Sequence, residues 1–140
     1  MKRPKLPTHT ATLTLVTEML PSSSIELRAY IDTHDARPFE TWFDGLDAGP
    51  AAKISIALSR LEHANFSNAK SVGSGVHEYK IDSGPGYRIY FGKDGATVVI
   101  LLGGGTKKRQ PKDIASAAKE RWADYKRRKK DGEPYDASDT

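Results

Sequence analysis

Three short segments between Val76 and Leu102 constrain this chain more than any other feature. Val76–Asp82, Tyr87–Phe91 and Thr97–Leu102 have strand composition, and only Ser83-Gly84-Pro85-Gly86 and Gly92-Lys93-Asp94-Gly95 separate them. By length and composition both separators read as hairpin loops. The third segment contains the run VVILL, which belongs at the centre of a sheet or buried on both faces. Gly103-Gly104-Gly105 then reads as a flexible exit, or as backbone N–H groups offered to a phosphate.

Upstream, Ile25, Leu27, Ala29 and Ile31 alternate with Glu26, Arg28 and Tyr30, the period of a half-buried strand. At Pro38 the period changes. Phe39, Trp42, Phe43 and Leu46 fall at i, i+3, i+4 and i+7, one face of a helix, and Pro38 suits its first turn. Asp47-Ala48-Gly49-Pro50 ends this helix. A second runs from about Ala51 to His63 or Ala64, with Ile54, Leu58 and Leu61 on one face. The short connection makes an antiparallel helical hairpin, and its apolar side must cover the sheet. Asn65 to Gly75, rich in Asn, Ser and Gly, reads as a loop. A last helix spans about Lys112 to Lys129, with Ile114, Ala118, Trp122 and Tyr125 as a sparse apolar stripe; it or a partner would cover the other sheet face. The expected fold is α+β: an N-terminal strand and a helical hairpin on a small, mainly antiparallel sheet, followed by a basic C-terminal helix. The expected divisions are an N-terminal extension (1–20), one domain (21–130) and a disordered acidic tail (131–140).

Charge separates the function classes. Of 22 Lys and Arg residues in 140, 11 lie between positions 106 and 130, against 3 acids there. Such a window attracts a polyanion, or else forms a solvated helix face. Cysteine is absent, which removes disulfides, thiolate nucleophiles and Cys-ligated metals. The four histidines, His9, His34, His63 and His77, share no ligand spacing, so no metal is expected and no cofactor is implied. No apolar run approaches the roughly 18 residues of a membrane span and no secretory leader is visible, so the cytoplasm is the default location.

The chemistry-bearing residues are basic and lie on the sheet. Glu78 and Lys80 share one face of their strand, with His77, Tyr79 and Ile81 opposite; Arg88 and Tyr90 share a face of the next. Lys107, Lys108, Arg109 and Gln110 follow the third strand directly, and Lys112 opens the last helix. A face carrying Lys80, Arg88, Tyr90 and Lys107–Gln110 suits a phosphodiester, with tyrosine available to stack on a base. Such a face can also cleave RNA without a metal or a protein nucleophile, because the ribose 2′-OH attacks the adjacent phosphate. Arg88 would stabilise the added negative charge. Lys80 or Lys107 would take the proton if its pKa is depressed, or Glu78 or His77 would serve instead. Alternatively Arg88 forms a cross-strand salt bridge with Glu78 and Lys80 is a solvated strand lysine. Trp42, Phe39 and Phe43 read as core, whereas Trp122 and Tyr125 either pack on the domain or meet a partner.

The ordered run Val72-Gly73-Ser74-Gly75-Val76-His77-Glu78-Tyr79-Lys80-Ile81-Asp82-Ser83-Gly84-Pro85-Gly86-Tyr87-Arg88-Ile89-Tyr90-Phe91, with Leu102 to Ala117 after it and Phe39 to Leu46 before it, resembles the RelE/ParE toxin superfamily, in particular its HigB-like addiction module killer branch. The similarity covers about residues 25–120. It implies the toxin of a type II toxin–antitoxin module, held in check by a cognate antitoxin, here a helix-turn-helix protein. It also implies ribosome-dependent mRNA cleavage without a metal, and thus an endoribonuclease. Other members act on DNA gyrase, and a decayed relative would only bind RNA or antitoxin. The positions it carries over are Glu78, Lys80 (where the pattern has Arg), Arg88, Lys107 and Gln110. Gly105-Thr106 stands where an Asp is frequent, which leaves Lys107 and Lys108 as alternatives for one role. RNA contacts are expected from Tyr90, Lys108, Arg109, Gln110 and Lys112. The oligomeric state is not legible.

Overall fold

A computed structural model of the 140-residue chain describes residues 24–108 and 111–132. The expected N-terminal extension, Arg109, Gln110 and all but the first two residues of the acidic tail lie outside the described residues. In chain order the elements are β1 (Glu26–Ala29), α1 (Pro38–Asp44), α2 (Ala48–Glu62), β2 (Ala69–Gly73), β3 (Val76–Ile81), β4 (Tyr87–Asp94), β5 (Val98–Thr106) and α3 (Pro111–Lys130). The fold is α+β: one five-stranded mixed sheet in the order β1-β5-β4-β3-β2, with helices on both faces. The β2–β3, β3–β4 and β4–β5 pairs are antiparallel, and β1 joins β5 in parallel.

The strand pattern divides the core in two. Tyr79, Ile89, Phe91, Val99 and Leu101 point to one face, where Phe39, Phe43, Ile54 and Leu61 of the helical hairpin cover them. Val76, Tyr90, Ile100 and Leu102 point to the other, where Ala118, Trp122 and Tyr125 of α3 close the layer. The run VVILL accordingly lies in an interior strand buried on both sides. Trp122 and Tyr125 belong to the domain, their rings stacked 5.3 Å apart. No helix among the described residues is long and apolar enough to cross a membrane.

Four local expectations are corrected. Asn65 to Gly75 contains the edge strand β2 (AKSVG), in which only Ala69 and Val72 are half-buried, on opposite faces, so it carries no alternating apolar signal; Ser74 and Gly75, both at positive φ, supply the tight turn into β3. α2 begins at Ala48, because Pro50 sits in a first turn where its missing N–H breaks no helical bond. Gly92, Lys93 and Asp94 extend β4 and are not a loop. Gly103-Gly104-Gly105 is the paired end of β5 and not a flexible exit or an open phosphate nest. A Cβ at Gly104 would overlap the Trp42 ring, and one at Gly105 would overlap Ile114. These glycines let α1 and α3 close onto the strand from opposite sides.

Candidate functional site

The site lies at the end of the sheet where β3 finishes, β4 starts and β5 finishes. The β3–β4 register places Lys80 directly opposite Arg88 and Glu78 opposite Tyr90, and Gly105 of β5 lies on the other side of Arg88. Cross-strand partners share a face, so Lys80, Arg88, Glu78 and Tyr90 all belong to the α3 side. Gly105 has no side chain, and Ile114 of α3 fills the position beside Arg88 that a Cβ there would take. Lys107 follows one residue past the strand; its backbone N–H donates to Gly86 O at 3.0 Å, and its side chain packs against Gly86. The hairpin loops thus bring Lys80, Arg88 and Lys107 to one end of the sheet from three strands. Lys80, Lys107 and Lys108 are exposed.

Beneath these cations lies one buried anion. Glu78 is 4% exposed. Its Oε2 accepts from Arg88 Nη1 at 2.9 Å and from the Tyr90 hydroxyl at 3.0 Å. The cross-strand salt bridge is therefore real, and it points the guanidinium along the sheet rather than into solvent. Oε1 of Glu78 is buried with no hydrogen bond, and Lys70 Nζ approaches it at 3.9 Å. Tyr90 is 1% exposed, so no base stacks on its ring. Burial and the neighbouring Glu78 carboxylate push its hydroxyl up to about 12, which keeps it a proton donor to Glu78 across the physiological range.

His77 faces the other way. Its ring stacks on Phe91 at 5.3 Å, on the helical-hairpin side. Burial and Lys93 hold its pKa below the ordinary value. It is separated from Glu78 by the sheet and takes no part in this site. Lys112 is exposed on the first turn of α3. Among the described residues no three His, Asp or Glu side chains converge as metal ligands would.

A cleft of about 550 Å³ opens beside Glu78 and Lys80 and continues around β2 to α2. Lys53 and Arg60 of α2 and Lys70 of β2 line it together with Lys80 and Asp82. Sequence reasoning missed these three cations. Lys70 fell in the segment read as a loop, while Lys53 and Arg60 stand seven residues apart on one helix side, a spacing that alone says nothing about which element they face.

No family model matches this chain. A protein of Haemophilus influenzae, described only as uncharacterized, is 42% identical over 80 residues, spanning 56% of this chain and 81% of that protein. The chain belongs to the same family as that protein. Among solved structures, a mutant of the E. coli toxin RelE in the free state superimposes with a TM-score of 0.53 at 17% identity, covering 70% of this chain and 97% of that one. The chain thus has a RelE-like fold.

Proposed function

We propose that residues 21–130 form the toxin domain of a type II toxin–antitoxin module, an endoribonuclease that cuts mRNA on the ribosome and is restrained by a helix-turn-helix antitoxin. One observation carries this reading: Lys80, Arg88 and Lys107, from three strands, stand at one sheet end, with Arg88 paired to the buried Glu78 carboxylate. The RelE-like fold and the HigB-like run of Val72 to Ala117 support it.

The proposed chemistry is transesterification within the RNA. The 2′-oxygen forms a bond to the adjacent phosphorus as the bond to the 5′-oxygen breaks, leaving a 2′,3′-cyclic phosphate and a 5′-hydroxyl. Arg88 forks onto the non-bridging oxygens, where negative charge grows. Lys80, across from it, holds the same phosphate. Glu78 Oε1 takes the 2′-hydroxyl proton once the exposed Lys70 ammonium moves off it, while Oε2 keeps Arg88 aimed. Lys107 returns a proton to the departing 5′-oxygen. Lys108, Arg109, Gln110 and Lys112 bind the flanking chain.

Brief induction in cells, followed by mapping of transcript 5′ ends, tests the proposal. New ends inside translated codons, missing with Arg88→Ala, are expected. Intact transcripts with inhibited DNA supercoiling would replace it with the gyrase reading. Intact transcripts and normal growth would leave a binding protein.

A further inference from the structure

The charges of α3 are sorted along its length. Lys112, Lys119, Lys126 and Lys130 stand at i, i+7, i+14 and i+18. At 100° per residue they fall on one line within about 40° of each other. The acids of the helix, Asp113, Glu120 and Asp124, stand at i, i+7 and i+11 and form a separate line about a third of a turn away. A helix whose charges served only solubility would intersperse the two signs and gain i,i+4 pairs. Here none of the four lysines pairs with a carboxylate among the described residues.

The line also has a direction. α3 crosses the sheet face from Gly105, under Ile114, to Gly92 and Gly75, under Trp122. Lys112 lies at the end next to Arg88. Lys119 Nζ lies against Gly73, at the β2–β3 turn, so the line runs along the side of α3 that looks onto β3 and β2. Farther on, Lys126 rests over the Trp122 ring at 5.6 Å. With Lys93 of β4 and Lys130 it rims a second cleft of about 400 Å³. The first three lysines are spaced by about 10 Å along the axis, within reach of successive phosphates of an extended strand.

We infer that this lysine line is a phosphate track: a non-catalytic site that binds the backbone of single-stranded RNA leaving the Arg88 site and leads it along α3. The ligand chemistry is the phosphodiester alone, since Trp122 is buried and no base-reading group lies on the line. The inference rests on RNA being the ligand, but not on its being cut.

The test compares two double variants of the full chain, binding a fluorescent single-stranded RNA over a range of salt. Lys119→Gln with Lys126→Gln removes the middle of the track. Arg28→Gln with Arg37→Gln removes equal charge, Arg28 lying on β1 at the opposite sheet edge. Two lost phosphate contacts lower the slope of log K against log salt by about 1.4, roughly 25-fold in affinity at 0.1 M salt. This is expected for the first variant only, with the melting temperatures of both recorded to show that Lys126 acts beyond its packing on Trp122. Equal losses in the two variants, or none, would overturn the track. So would a polyglutamate peptide competing as well as RNA of equal charge. Arg88→Ala in the same assay keeps the two ideas apart. If the wild type binds through the track but cuts nothing, the nuclease proposal fails and the track stands.

Discussion

At the C-terminal end of α3, Arg127, Arg128 and Lys129 are matched by acids. Arg127 and Arg128 close on Asp124, which also accepts from the Tyr30 hydroxyl at 2.5 Å, and Arg128 reaches Ile31 O at 2.6 Å. Lys129 holds Asp94 at 2.6 Å, and the Tyr125 hydroxyl donates to the same carboxylate. At the other end of the sheet, Lys80, Lys107, Lys108 and Lys112 have no acid partner among the described residues, and the one buried acid, Glu78, is held by Arg88 and Tyr90. Both regions look alike as composition. One uses positive charge to lock a helix onto a domain; the other leaves it unneutralised, where an incoming phosphate would be the strongest partner. A dense basic window is therefore not one signal. Arg121, whose Nη1 donates to Leu102 O at 2.9 Å, Arg127, Arg128 and Lys129 anchor the helix through hydrogen bonds and ion pairs, while Lys112, Lys119, Lys126 and Lys130 pair with no acid among the described residues.

Four experiments sharpen or break this contrast. The largest effect is expected from Trp122→Ala in the anchoring half. The ring fills the space over Gly92 and Gly75 at 5% exposure, and its removal destabilises by about 4 kcal/mol in denaturant titration. Cleavage would then fall only as far as the folded fraction falls. Arg88→Ala should do the reverse. Cleavage drops by about 10²- to 10³-fold, as for loss of one transition-state donor, while stability falls by about 2 kcal/mol because a buried carboxylate loses its charged partner. Adding Glu78→Gln should recover most of that stability and none of the cleavage. A full return of cleavage would remove both Arg88 and Glu78 from the chemistry. Gly104→Ala comes next, at about 2 kcal/mol, because a methyl group there meets the Trp42 ring.

The smallest effect is pH-linked. Burial pushes the Asp94 carboxyl up, but Lys129 and Tyr125 outweigh it and hold it below its ordinary value; burial also opposes Tyr30 and Arg128 at Asp124, with the same net lowering. A folded pKa below the unfolded one stabilises the fold above about pH 4 and loses that contribution as pH falls. Asp94→Asn should cost about 1 kcal/mol at neutral pH and flatten the acid limb of a pH–stability curve. An unchanged acid limb would remove Asp94 from the anchor.

Much of the fold was legible because its signals are periodic. The switch at Pro38, the alternation in Val76–Asp82 and the VVILL run identify elements without knowledge of their partners. β2 was not legible: an edge strand paired on one side has no need of apolar alternation. Nor were the three glycines of β5, since a glycine that admits Trp42 or Ile114 has the same letter as one in a hinge. At the site, Lys80, Arg88 and Glu78 were readable from strand phase, and the pairing of Lys80 with Arg88 needed only the hairpin register. The burial of Tyr90 was not readable, because the helix that covers it lies about 30 residues downstream. Lys53 and Arg60 depended in the same way on how α2 sits beside β2.

The central claim is that cations gathered at one sheet end drive an attack by the RNA's own 2′-oxygen. A ribosome-bound message in which one 2′-hydroxyl, at a mapped cleavage position, is replaced by hydrogen tests it most directly. The account predicts that cutting stops at that position alone and that every other cut leaves a 2′,3′-cyclic phosphate. Continued cutting at the deoxy position, or products ending in a 3′-hydroxyl with a 5′-phosphate on the neighbouring fragment, would contradict it.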